Sequence, residues 1–231
     1  MVEINTLSDK CTSKHRVYLV RHGEVNIEPN ICYGQLDCPV ADSFSDELAH
    51  LVTYFLTQCP FLLAPKNNAS LPLIISSPLQ RCHLLAQGLQ KQLQQACDIP
   101  FQLQINEAFK EINFGQWEGQ TWENIGQPAL QCWSENLLSY LFPDGESAQQ
   151  FHDRVIHAWN ALIRKINMQS TSQTIIIVCH AGVIRSILSH FLNMPLQHSL
   201  SLNIDKGSVS CLSLIPNMNN ASRCLYINRI V

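Results

Sequence analysis

The chain has 231 residues, 46% of them hydrophobic and only 14% charged, with a net charge of -3. That apolar content supplies a full core and excludes a disordered chain, and the slightly acidic balance excludes a global basic field for nucleic acid or an anionic membrane. No apolar run approaches the ~20 residues that would span a bilayer, and Met1–Arg16 has no apolar stretch of signal-peptide length. A soluble, cytoplasmic protein with neither a nucleic-acid nor a membrane partner is expected. Ten cysteines, none in C-x-x-C spacing, fit neither a zinc ribbon nor the disulfide framework of a small secreted chain. They are expected as reduced, semi-buried, apolar residues.

Taken in chain order, the patterning alternates strand and helix. Residues 1–14 form a polar extension, and 15–231 read as a single domain. Val17–Val20 is a buried strand that runs into Arg21-His22-Gly23, and Asn26–Val40 is an irregular loop with Pro29, Gly34 and Pro39. A helix is expected over Phe44–Gln58, with Asp42 and Ser43 as caps, and a loop over Pro60–Leu71. Leu73–Ile75 is the next strand and Pro78–Ala96 the next helix, followed by a strand at Phe101–Gln104. Short helices are expected between Thr121 and Tyr140, then a turn at Pro143-Asp144-Gly145 and a long amphipathic helix from about Ser147 to Asn167. Ile175–Val178, four β-branched residues in a row, reads as a central strand buried on both faces. A helix at Val183–Leu192 and strands at Val209–Leu214 and Cys224–Ile227 complete the order. The architecture implied is a three-layer α/β/α sandwich on a mainly parallel central sheet.

Ligands of such sheets bind beyond the carboxyl ends of the strands, and three strands here end in charged or nucleophilic residues: Arg21-His22, Ser76 to Arg81, and Cys179-His180-Ala181-Gly182. Two arginines and two histidines on one edge suit a doubly negative phosphate, since Arg offers paired donors and His can attack or donate a proton. Ser77 before Pro78 reads as an N-cap with proline at N1 and Gln80 in the capping-box position. Arg81 would then sit in a first helical turn, where a cation is disfavoured unless an anion lies beside it. His180-Ala181-Gly182, between strand and helix, should leave N–H groups free for phosphate oxygens.

Arg21-His22-Gly23-Glu24 after a hydrophobic strand is similar to the signature of the histidine phosphatase superfamily, the phosphoglycerate mutase-like proteins. The resemblance extends through Gly34, Asp37 and Pro39, Ser76–Arg81, Glu111 with Phe114–Gly119, Gly145-Glu146-Ser147, and His180-Ala181-Gly182, in family order from about residue 16 to 214. It implies a phosphohistidine mechanism with no metal and no cofactor. In that mechanism His22 attacks phosphorus, Arg21, Arg81 and His180 surround the equatorial oxygens, and Glu111 protonates the leaving oxygen and then activates water. Glu118 is expected to be structural, holding the Trp117 loop.

The chain departs from the family pattern R-H-G-E-T-x-x-N at Val25 and at Glu28, which stands where an Asn contacts phosphate. Glu28 should point away, leaving that contact absent or supplied by Asn26, Asn30 or Gln35. The absence of the longer insertions of true mutases favours a phosphatase. Gly115-x-Trp117-Glu118-Gly119-x-x-Trp122 and Cys32-Tyr33-Gly34-Gln35-x-Asp37-x-Pro39 resemble the α-ribazole-5′-phosphate phosphatase group, which acts in assembling the nucleotide loop of cobalamin. The expected partner is a small-molecule phosphate ester, with Gln35, Ala181, Trp117 and Trp122 as substrate contacts. Trp117, Trp122 and Trp133 offer an aromatic wall for a dimethylbenzimidazole ring, or core and lid packing. Open beside this reading are a broad-specificity sugar-phosphate phosphatase, a mutase-like enzyme, a noncatalytic phosphate-binding interaction domain, and a homodimer.

Overall fold

Strand and helix alternate as the apolar patterning predicts in the computed structural model, which describes residues 14–59, 70–168, 171–216 and 221–231. The elements are β1 (His15–Arg21), α1 (Phe44–Gln58), β2 (Leu73–Ser76), α2 (Gln80–Cys97) and β3 (Gln102–Ile105). They continue with α3 (Trp122–Ile125), α4 (Gln127–Glu135), α5 (Ala148–Asn167), β4 (Thr174–Cys179), α6 (Ala181–Phe191), β5 (Val209–Leu214) and β6 (Arg223–Arg229). Short 3-10 turns lie at Glu107–Phe109, Gly115–Trp117 and Leu196–Ser201. The polar extension up to residue 13 and most of the Pro60–Leu71 loop lie outside the described residues.

Among the described residues the sheet has six strands in the order β3-β2-β4-β1-β5-β6. β1, β2, β3 and β4 are mutually parallel; on one side β5 pairs antiparallel with β1, and β6 antiparallel with β5. β4 is buried along its whole length, as its β-branched run requires of a strand covered on both faces. Alternate residues feed two cores. Val17, Leu19, Ile175 and Ile177 pack against α5 and α6 on one face. Tyr18, Val20, Ile176 and Val178 pack against α1 and α2 on the other. A third, aromatic cluster of Trp117 and Phe142 with Trp122, Trp133 and Tyr140 lies outside the sandwich and roofs one end of it.

Helix starts differ from their expected chemistry in two places. Ser43 occupies the N-cap of α1, but its hydroxyl makes no cap bond and donates instead to Glu47 Oε1 at 2.9 Å. α2 begins at Gln80 rather than at Pro78, and neither Ser77 nor Gln80 forms a capping box. The Gln80 N–H donates to Asp37 Oδ1 at 2.7 Å, so a residue 43 positions away in the irregular loop caps this helix. α5 follows the sequence closely: Ser147 and Gln150 form a reciprocal capping box.

Candidate active site

β2, β4 and β1 are adjacent, with Arg21 opposite Cys179 and Ser76 opposite Val178. The three chemically loaded segments therefore leave the sheet side by side. Arg21, His22, Arg81 and Glu111 line one cavity of about 310 Å³, together with Ala181 and Gly182 at the start of α6. Its outer wall is apolar, with Phe114, Trp133, Leu138, Phe142 and Leu200 among the lining side chains.

His22 is 2% exposed, and its Nδ1 lies 2.7 Å from the Gly23 carbonyl oxygen. A carbonyl only accepts, so Nδ1 carries the hydrogen and the Nε2 lone pair is left for attack. The His180 ring stands 5.2 Å from that of His22. It is fully buried, with Nε2 2.8 Å from Ser77 Oγ and 3.5 Å from Cys82 Sγ. Arg81 is 1% exposed: its Nη1 donates to the Leu36 carbonyl at 2.8 Å and its Nη2 to that of Gly34 at 2.7 Å. Arg21 Nη1 donates to the Ile204 carbonyl at 2.6 Å. Nε of both arginines is buried and finds no partner among the described residues. Both guanidiniums also line the cavity, where a planar cation suits an anion's oxygens.

Glu111 is fixed from several sides. Its Oε2 accepts the Gly182 N–H at 3.0 Å and its Oε1 the Ile112 N–H at 3.1 Å. The approach of α6 is so close that a Cβ on Gly182 would lie 2.3 Å from Glu111 Oε1. Arg154, on α5, pairs with Glu146 at 2.6 Å and donates to the carbonyls of Ala108 and Lys110 at 2.8 and 3.2 Å. That grip holds the segment carrying Glu111 against α5.

The profile of the histidine phosphatase superfamily, branch 1, matches residues 17–224. The chain belongs to that superfamily. Membership, together with the phosphatases among its relatives, makes it a phosphoric monoester hydrolase. Among curated relatives, it is 23% identical over 219 residues to the putative phosphoserine phosphatase 2 of Hydrogenobacter thermophilus, covering 93% of this chain and 96% of that one. It is also 23% identical over 203 residues to the adenosylcobalamin/alpha-ribazole phosphatase of Escherichia coli, covering 86% and 90%. Among solved structures, a putative alpha-ribazole-5′-P phosphatase from Escherichia coli superposes with a TM-score of 0.73 at 21% identity, covering 93% and 96%. A mycobacterial glucosyl-3-phosphoglycerate phosphatase gives 0.72 at 19%, covering 94% and 100%. These likenesses establish the fold of a histidine phosphatase.

Within this histidine phosphatase, several expected contacts are placed differently. His180 stands behind His22 and is absent from the cavity wall, its Nε2 engaged by Ser77. The Gly182 N–H is not free for phosphate, because Glu111 takes it. Gln35 does not line the cavity: its amide donates to the Glu111 carbonyl at 3.1 Å and its N–H to Glu118 Oε1 at 2.8 Å. Neither Trp117 nor Trp122 lines it either. Trp117 is buried edge-on against Trp133 and Phe142, and Trp122 stacks on the far side of Trp133. Trp133 alone of the three reaches the cavity. Glu118 accepts from Gln35 and Phe114, which ties two loops together. Glu28, Asn26 and Asn30 are exposed and outside the wall.

Burial, reinforced by Arg81 and Arg21, holds the His22 pKa well below its ordinary 6.5. Burial, with His22, Arg81 and Arg21, does the same to His180. Both are therefore neutral in the folded protein at physiological pH, as a nucleophilic imidazole must be. In the unfolded chain each takes up a proton below about 6.5. Stability is thus complete above that pH and is lost as the pH falls, by at most about 1.4 kcal/mol per pH unit for each histidine. The thermal midpoint should drop between pH 7.5 and 5.5, and His22→Asn should flatten the slope. An unchanged slope in that variant would mean that His22 takes up its proton equally in the folded and unfolded states.

Proposed function

We propose that the protein hydrolyses phosphate monoesters through a phosphohistidine at His22, with a leaving group that is apolar or aromatic on one side. The observation that supports this most directly is the meeting, in one cavity, of an imidazole with a free Nε2, two guanidiniums and a single carboxylate. His22 Nε2 attacks phosphorus in line and the ester oxygen leaves. Arg21 and Arg81 hold the phosphoryl oxygens and stabilise the charge that moves onto them during transfer. Glu111 protonates the departing oxygen and then takes a proton from the water that cleaves the phosphohistidine. His180 acts from behind, packed against His22 and oriented by Ser77.

The substrate that fits best is α-ribazole 5′-phosphate. Trp133, Phe114 and Phe142 give the cavity an aromatic wall of mutually inclined rings, in which the Trp133 indole is the broadest face, and relatives named as α-ribazole phosphatases cover most of the chain. Base–aromatic stacking contributes roughly 1–3 kcal/mol, so α-ribazole 5′-phosphate should exceed ribose 5-phosphate in kcat/KM by about one to two powers of ten. Trp133→Ala should erase most of that preference. Equal turnover of the two esters by the wild type would leave a general phosphatase in place of this reading.

A further inference from the structure

Gly23 lies just beyond β1, and its carbonyl oxygen accepts the Nδ1–H of His22 at 2.7 Å. The same peptide unit carries the Glu24 N–H, and a trans peptide points its two polar groups in opposite directions. That N–H meets both carboxylate oxygens of Glu47, each at 3.1 Å. Carboxylate, peptide and imidazole thus form one chain of hydrogen bonds that ends on the nucleophile.

Glu47 is held for this contact. It lies in the first turn of α1, where the helix dipole favours a negative charge, and Ser43 Oγ donates to its Oε1 at 2.9 Å. A Cβ on Gly23 would run into Glu47 Oε2, so only a glycine lets the carboxylate come this close. The carboxylate of Glu24 itself is turned to Lys206. The backbone on both sides of the peptide is pinned: the His22 N–H donates to the Cys179 carbonyl at 3.0 Å, and the Glu24 carbonyl accepts the Ala41 N–H at 3.2 Å.

We infer that Glu47 is a positioning residue for the nucleophile: through the Gly23–Glu24 peptide its carboxylate locks the His22 tautomer and steadies the charge that the ring acquires on phosphorylation. When Nε2 bonds to phosphorus, the ester P–O bond breaks and the leaving oxygen takes the proton of Glu111. Nδ1 keeps its hydrogen, so the phosphorylated ring carries a positive charge. In a Ser-His-Asp triad a carboxylate against Nδ1–H plays this part directly. Here one amide lies between. An N–H bonded to an anion makes its own carbonyl a stronger acceptor, so the effect passes through the peptide in attenuated form. The inference rests on the reading of His22 as the nucleophile.

The test measures kcat/KM, which reports phosphorylation of His22, for p-nitrophenyl phosphate and glycerol 3-phosphate in wild type, Glu47→Gln, Glu47→Ala and Asp46→Ala. Glutamine keeps an oxygen for the Glu24 N–H but not the charge, and alanine keeps neither. Losses of about 3- to 10-fold for glutamine and about 10- to 100-fold for alanine are expected, alike on the two esters because Glu111 is untouched. Inorganic phosphate should still raise the thermal midpoint of both variants, since Arg21 and Arg81 are held by other carbonyls. The His22 Nδ1–H proton should move upfield in their NMR spectra as its hydrogen bond weakens. Asp46→Ala removes a charge from the same helical turn and should stay within about twofold of wild type. A Glu47→Gln variant with wild-type kcat/KM overturns the role, as does a loss matched by Asp46→Ala or by an equal loss of phosphate binding. If Glu47→Ala fails to fold, Glu47→Gln decides on the same terms. A wild type that forms no phosphoprotein overturns the nucleophile reading instead, and the role of Glu47 with it.

Discussion

His22→Ala should abolish the acid-labile, alkali-stable phosphoprotein and lower kcat by at least about three to four powers of ten, a loss of roughly 4–5.5 kcal/mol of transition-state stabilisation. The size of the effect follows from the geometry. His22 is the imidazole on the cavity wall, and His180 has its Nε2 turned to Ser77, so no second ring is placed to attack in its stead. The donors for phosphate stay where they are, because Arg81 is tied to the Gly34 and Leu36 carbonyls and Arg21 to that of Ile204. Inorganic phosphate should therefore still raise the thermal midpoint of the variant. Loss of turnover with phosphate binding retained separates a missing nucleophile from a collapsed site. A variant that still forms the phosphoprotein would move the nucleophile elsewhere.

The residues that meet in this cavity were legible because parallel strands send their carboxyl ends to one edge of a sheet. An apolar run ending in Arg-His, another ending in Ser-Ser-Pro and a third ending in Cys-His must open on one edge if the sheet is parallel; that they are also neighbours, as β1, β4 and β2, comes from the structure. Ser77 is the instructive near miss. Its place before a proline suggests a helix cap, and its hydroxyl does accept the Leu79 N–H at 3.3 Å, but Leu79 is still extended; that hydroxyl also lies against His180, and the first helical N–H is met by Asp37. No local pattern announces a contact between residues 43 or 103 positions apart. The tryptophans show the same limit. Their spacing promised an aromatic wall, but which indole faces a cavity depends on how α3 and α4 fold back over the Gly115–Trp117 turn, and there Trp117 fills the centre of its own cluster. The pairing of Arg154 with Glu146, a residue named only for its turn motif, escaped notice for the opposite reason. An Arg on an amphipathic helix looks like a solvated residue until its partners on the 108–111 segment are seen.

Glu111→Gln should lower kcat/KM for esters with poor alkyl leaving groups by about 10²–10⁴-fold and that for p-nitrophenyl phosphate far less. An alkoxide departs only with a proton, whereas p-nitrophenolate is stable without one, so the ratio between the two substrates reads the proton transfer itself. The substitution suits the purpose because glutamine keeps the shape and its amide oxygen can still accept one backbone N–H, from Gly182 or from Ile112. The amide nitrogen is a donor and cannot serve the other. One of those N–H groups loses its partner, and a modest fall in thermal midpoint is expected alongside the kinetic effect. That fall is common to every substrate and cannot create a difference between them. Hydrolysis of the phosphoenzyme, which needs Glu111 as a base, should also slow. The phosphohistidine should then accumulate during turnover of p-nitrophenyl phosphate and appear as a burst of p-nitrophenol. Equal losses on both substrates, with no burst, would remove Glu111 from the proton path. Glu118, the other carboxylate of this stretch, is already committed to the N–H groups of Gln35 and Phe114 and lies off the cavity wall. The proton would in that case have to come from water or from the substrate's own phosphoryl group.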